Sequence, residues 1–120
     1  ADMFHVAGGF HEARVPQLTM NVPKGYSGRM AGNIRRAGKI PVILAHRVHD
    51  AILAENLIAA GQIDCVGWGR PLICDPEIGN KLKEGRLEDI RWCIGCNQGC
   101  FDMTFAGQPV TLVPSIPKEP

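Results

Sequence analysis

Two short apolar runs, Ile40-Pro41-Val42-Ile43-Leu44-Ala45 and Ile63-Asp64-Cys65-Val66-Gly67, flank a stretch whose apolar residues recur at helical spacing. A third run, Met3 to Ala7, opens the chain and ends in Gly8-Gly9. Short apolar strands alternating with helices are the pattern of βα units around a parallel sheet. The pattern is restrictive. Parallel strands cannot be joined by a tight turn, so each pair needs a crossover, and strands apolar on both faces need cover on both sides.

The crossovers can be placed from the same sequence. Tyr26 to Ala37 puts Met30, Ile34 and Ala37 on one stripe, with Gly38 as the C-cap. Asp50 is the expected N-cap of a helix running through Ala60, with Leu53, Leu57 and Ile58 apolar and Gly61 closing it. Asp75-Pro76 opens a further helix that carries Asn80, Lys81 and Lys83 and ends near Gly85. A long loop from Phe10 to about Gly25 holds Pro16 and Pro23, and loops of that size in a compact domain are usually functional. The stretch from Phe101 to Pro120 contains Pro109, Pro114, Pro117 and Pro120 and reads as irregular. Three strands leave two open edges, so the chain is expected to be part of a larger α/β body.

Cys93, Cys96 and Cys100 form a C-x2-C-x3-C array that reads as three ligands of an iron–sulfur cluster. Thiolates are soft, charged donors suited to iron, and Gly95 and Gly99 stand where the backbone must curl to bring neighbouring sulfurs together. The chain has 5 cysteines, and an odd number with three clustered argues against a disulfide framework. Cys65 and Cys74 lie in apolar surroundings and are expected to be buried, inert thiols. A formal charge of +1 gives no global field for nucleic acid or an anionic membrane. No apolar run reaches the length of a membrane span and no signal-peptide pattern opens the chain, so the expected location is the cytoplasm.

Two strand ends carry a basic residue at a turn: His46-Arg47 after Ala45, and Gly69-Arg70-Pro71 after Trp68. Loops after the last strands of a parallel barrel commonly hold a phosphate through bare backbone N–H groups and an arginine fork. The alternative is that both arginines cap carbonyls or pair with surface acids. His11, just beyond the first strand, is either a general acid with a pKa near working pH or a solvated loop side chain. His5, His46 and His49 have no metal-site spacing, and no G-x-G-x-x-G occurs.

Taken together, Gly9-Phe10-His11-Glu12-Ala13-Arg14-Val15-Pro16, Ile40-Pro41-Val42-Ile43, Gly69-Arg70-Pro71, the segment Lys81 to Ile90 and Cys93-Ile94-Gly95-Cys96-Asn97-Gln98-Gly99-Cys100 resemble the Old Yellow Enzyme superfamily, most closely its 2,4-dienoyl-CoA reductase branch. The resemblance implies a partial TIM (β/α)8 barrel: the last three βα units in residues 1–92, followed by an irregular cysteine-rich segment in residues 93–120. It implies FMN, with Arg47, Gly69 and Arg70 at the phosphate end. It also implies a proton-donating His11, and Glu12, Ala13, Arg14 and Val15 along an acyl substrate. Cys93, Cys96 and Cys100 would ligate a 4Fe–4S cluster.

The parent activity is reduction of a C=C bond conjugated to a carbonyl, in an enoyl- or dienoyl-CoA or another enoate. Its electrons come from NAD(P)H through FAD and the cluster. Two positions depart from the resemblance. His46 replaces a small residue or Asn, and the fourth cluster cysteine is replaced by Leu112. The isolated chain is expected to be inactive and oligomeric, with the rest of the barrel supplied by the same or another polypeptide. The competing readings are a non-catalytic fragment or subunit that completes such a barrel, and a zinc-binding structural module using three thiolates and a histidine or water.

Overall fold

The computed structural model describes residues 1–8 and 19–111. The chain divides into two compact units, Ala1–Trp68 and Gly69–Pro120.

The first unit is built on a three-stranded parallel sheet, β1 (Phe4–Val6), β2 (Val42–Leu44) and β3 (Cys65–Val66), in the order β1-β2-β3. Phe4 stands opposite Val42 and Val6 opposite Leu44, while Ile43 and Leu44 stand opposite Cys65 and Val66. Helix α1 (Gly28–Gly38) joins the first two strands and α2 (Ala51–Ala59) the second and third. The expected alternation of strands and helical crossovers is thus present, with each strand shorter than its apolar run.

β2 is central, and its apolar character follows from that position: Val42 and Leu44 are fully buried. They pack in one core with Val6, Ala31, Val48, Ala54, Leu57 and Ile63, with Ile34, Leu53, Val66 and Trp68 against it.

The face that α1 buries differs from expectation. Gly28, Ala31 and Gly32 are buried, whereas Met30 is 44% exposed and Ala37 is also at the surface. Small residues take the inner face because the neighbouring chain comes too close for larger ones: a Cβ at Gly28 would stand 2.7 Å from a Leu57 methyl and 2.8 Å from the Gln62 side chain. The C-cap also differs. Lys39, with φ of 53°, takes the left-handed position and donates its N–H to the Arg35 carbonyl. Gly38 is the last helical residue, and its missing Cβ makes room for the Phe4 ring, which would otherwise lie 2.7 Å away.

Helix α2 begins as expected. The Asp50 carboxylate accepts the Leu53 N–H at 2.8 Å, meeting one of the four N-terminal donors that have no partner within a helix. At the other end Gly61, with φ of 66°, turns the chain so that the Gln62 N–H reaches the Leu57 carbonyl at 3.0 Å.

In the second unit, α3 (Arg70–Cys74) and α4 (Ile78–Lys83) are followed by a 3-10 turn at Leu87–Asp89. The turn read at Gly69-Arg70-Pro71 is the start of α3, with Pro71 in the first turn, where its missing N–H costs nothing. A π-helical turn, Gln98–Asp102, runs into α5 (Met103–Phe105). This corrects the expectation of irregular chain for Phe101–Phe105. The turn is held by Thr104 Oγ1, which donates to the Cys100 carbonyl at 2.8 Å, and by the Phe101 and Phe105 rings, 6.4 Å apart between centroids. Among the described residues no helix is long and apolar enough to cross a membrane.

Candidate functional site

The end of β2 is unusual. His46 and Arg47, neither a glycine, both have positive φ, 65° and 55°. Two left-handed residues in succession persist only where surrounding contacts fix them. His46 Nδ1 accepts the Gly8 N–H at 3.2 Å, the Arg47 carbonyl accepts the Gly25 N–H at 2.8 Å, and Arg47 Nε donates to the Val22 carbonyl at 2.8 Å. Arg47 is 4% exposed. Its side chain therefore binds the residues leading into α1, as the carbonyl-capping alternative anticipates. His11, Glu12, Ala13, Arg14 and Val15 lie outside the described residues, as does Leu112.

At the opposite, N-terminal ends of the strands, Arg35, Lys39, Ile40, Pro41 and Asp64 line a cleft of about 300 Å³. Asp64 accepts two hydrogen bonds from Arg35, each at 2.9 Å, and one from the Val42 N–H at 2.8 Å. The Arg35 hydrogen bonds, and then the Val42 N–H, hold its carboxyl below the usual carboxylate range. This clamp joins α1 to the strand starts, the side of a parallel α/β body that serves stability.

In the second unit Gly69 leaves open space, since a Cβ there would meet nothing within 4 Å. Arg70 is half-buried and turned to the cysteine segment: it donates to Asn97 Oδ1 and lies 5.8 Å from the Phe101 ring centroid. One guanidinium nitrogen is used on Asn97, and the planar fork has further N–H donors to offer an anion. Gly69 and Arg70 thus fit an FMN phosphate in kind: bare backbone and a bidentate cation.

Within the array, Cys93 and Cys100 are buried and Cys96 is half-buried. The left-handed positions are Gly95, at φ 75°, and Asn97, at φ 65°. Gly99 is inside the π-helical turn instead, so Asn97 performs the curl expected of it. Asn tolerates that conformation better than most side chains.

Sequence reading missed two residues. Cys74, at the end of α3, is buried but not isolated, since Cys93 acts on its thiol. Burial, then Cys93, pushes the Cys74 thiol up to about 12 against the opposing effect of Arg91, and Cys100 adds to the rise. The second is Asp75, whose side chain is 1% exposed. Its Oδ2 accepts from Lys81 Nζ at 2.6 Å and from the Arg91 N–H at 3.0 Å, and Oδ1 accepts the Glu77 N–H at 3.2 Å. Burial raises the carboxyl, but Lys81 and the backbone donors outweigh it and leave it below the usual range. Lys81 also donates to the Asp89 carbonyl at 3.1 Å. The residue after Cys74 therefore holds the chain two residues before Cys93.

Among the described residues no three His, Cys, Asp or Glu side chains are gathered as ligands of a single metal ion. The donor chemistry nevertheless fits an iron–sulfur cluster, because buried thiols of one unit lie near enough to interact and in a cluster each thiolate meets its own iron rather than a shared ion.

The chain is similar to proteins named as oxidoreductases. No family model matches the chain. It is 48% identical over 109 residues, 91% of its length, to a metal reductase of Desulforamulus reducens, of which it spans 16%. It is 36% identical over 68 residues, 57% of its length, to a cinnamate reductase of Clostridium sporogenes, of which it spans 10%. Among solved structures, 6-hydroxypseudooxynicotine amine oxidase from Pseudomonas geniculata matches 77% of the chain with a TM-score of 0.69 and 27% identity, over 14% of its own length. All three bear the names of oxidoreductases, and the chain spans only a small part of each.

Proposed function

We propose that the chain is a segment of a flavin-dependent oxidoreductase of the Old Yellow Enzyme type, comprising the closing βα units of an FMN-binding TIM barrel and the start of its iron–sulfur loop. The observation that carries this reading is Arg70: in a chain similar to named reductases, the arginine that opens α3 is bonded to Asn97 inside the cysteine array. A cofactor-phosphate residue and a redox-cluster loop would then share one side chain.

Gly69 and Arg70 would hold the FMN phosphate, and Cys93, Cys96 and Cys100 the cluster. When bound, FMN supplies hydride chemistry and the cluster supplies single electrons drawn from NAD(P)H through FAD. The chain's own contribution is to orient the substrate and manage its proton. Glu12, Ala13, Arg14 and Val15 line the enoate, holding its double bond in a reactive orientation. His11 donates the proton to the carbon that does not receive hydride, a role that suits a side chain titrating near neutral pH. Similarity to a cinnamate reductase supports a C=C bond conjugated to a carboxyl or thioester as the substrate class.

The test is purification of the protein bearing this sequence from its native source without oxygen. Released flavin is identified by mass spectrometry, and NAD(P)H-dependent reduction of cinnamate and an enoyl-CoA is measured. FMN with enoate reduction is the expected result. A protein devoid of flavin and inert toward both substrates would overturn the reading.

A further inference from the structure

We infer that Asn97 and the Phe101 ring are positioning residues for Arg70, holding its guanidinium ready for the flavin phosphate, so that the cysteine loop helps to select FMN over a flavin without phosphate. The inference rests on the FMN reading above and adds to it residues of the cysteine segment other than its thiols.

Two contacts of the Arg70 side chain come from a single turn. Arg70 Nη1 donates to Asn97 Oδ1, and the guanidinium carbon lies 5.8 Å from the Phe101 ring centroid. Asn97 stands immediately before the π-helical turn that contains Phe101, so the turn's own hydrogen bonds fix the two relative to each other. The Asp102 N–H reaches the Asn97 carbonyl at 3.2 Å, Thr104 Oγ1 donates to the Cys100 carbonyl at 2.8 Å, and the Thr111 N–H reaches the Gly99 carbonyl at 2.7 Å. Asn97 has φ of 65°, a conformation that asparagine tolerates better than most side chains. Gly69, Arg70, Asn97 and Phe101 all belong to one compact unit.

A free arginine side chain samples many rotamers, and ordering it on a ligand costs affinity. A guanidinium already held through one nitrogen and against a ring gives up less when an anion arrives. With Nη1 used on Asn97, the Nε and Nη2 donors remain as the paired edge that suits two phosphate oxygens. The acceptor is also neutral: an amide oxygen orients the cation and leaves its charge for the phosphate, whereas a carboxylate at this place would neutralise it.

The test uses the full-length protein bearing this sequence, stripped of flavin. Dissociation constants for FMN and for riboflavin are measured by flavin fluorescence in wild type, Asn97→Gly, Phe101→Leu, Arg70→Met and the variant combining Asn97→Gly with Arg70→Met. Glycine keeps the left-handed backbone and removes the acceptor. Circular dichroism checks the fold, and Phe101→Leu carries the test if the glycine variant does not fold. The expected result is a wild-type preference for FMN over riboflavin that falls about tenfold in Asn97→Gly, the scale of one hydrogen bond to a charged group, and by a smaller factor in Phe101→Leu. Riboflavin binding stays unchanged, and Asn97→Gly causes no further fall once Arg70 is Met. An undiminished FMN preference in the folded variants, or a fall that persists in full without Arg70, overturns the positioning role while leaving the FMN reading intact. A wild-type protein that binds FMN no better than riboflavin refutes the phosphate role of Arg70 itself, and with it this inference.

Discussion

Replacing Lys81 by Met isolates the contribution of the ion pair that anchors the cysteine unit. Asp75 is 1% exposed and Lys81 16%, with 2.6 Å between Nζ and Oδ2. The Met side chain keeps most of the volume and removes the charge, leaving Asp75 with the Arg91 and Glu77 N–H groups as donors. Breaking a buried pair on one side costs about 3–5 kcal/mol. Because two backbone donors remain and Lys81 is partly solvated, the expected loss is near the lower end, about 3 kcal/mol.

The pH dependence has a definite sign. The carboxyl of folded Asp75 lies below its ordinary value, so its stabilisation is present above about pH 4 and is lost as pH falls through the lower folded pKa. Lys81→Met should therefore differ most from wild type near neutrality and converge on it in acid, where Asp75 is protonated in both. Urea denaturation followed by circular dichroism measures the loss, and hydrogen exchange of the Arg91 amide localises it. A loss below about 1 kcal/mol, the scale of an exposed pair, or a gap that stays constant into acid would refute the reasoning.

Leu44→Ala, at the fully buried centre of β2, should cost about 2–5 kcal/mol by thermal or urea denaturation, and a smaller loss would mean that β2 is not the middle of the core. Asp50→Ala removes the acceptor of the Leu53 N–H and should cost about 1 kcal/mol, recovered in large part by Asp50→Asn, whose amide oxygen can still cap.

The order of elements was legible because it is written in apolar runs and turn residues: Val42 to Leu44 must be buried wherever the chain folds, and Asp50 can cap only the helix that follows it. What the sequence concealed depends on neighbours distant along the chain. Gly38 reads as a cap and Gly28 as one more residue of the helix, yet their roles are set by Leu57, Gln62 and Phe4. Met30 looked like a core residue because helical period alone cannot say which face meets the sheet. Cys74 was concealed for the same reason. Nothing in Leu72-Ile73-Cys74-Asp75 distinguishes an isolated thiol from one on which Cys93 acts. A useful cue was present in Asp75, between α3 and α4, followed six residues later by Lys81 on α4, but spacing does not reveal that the pair is buried.

The end of β2 gives the clearest case of local strain offset by contacts with neighbouring chain. Two consecutive left-handed residues cost on the order of 1–3 kcal/mol each, and at His46 and Arg47 the contacts that offset this reach both flanks of the segment carrying His11. On the N-terminal flank, Gly8 donates its N–H to His46 Nδ1 at 3.2 Å. On the C-terminal flank, the Val22 carbonyl accepts from Arg47 Nε at 2.8 Å and Gly25 donates its N–H to the Arg47 carbonyl at 2.8 Å. Both flanks are therefore fixed to one strand end, the C-terminal end of β2, which is the side where parallel α/β barrels assemble their chemistry. A regular extended strand end would turn His46 and Arg47 away from this arrangement and release one flank or the other. The strain at these two residues is thus matched to a specific result: Gly8 on one side and Val22 and Gly25 on the other are held against the same dipeptide.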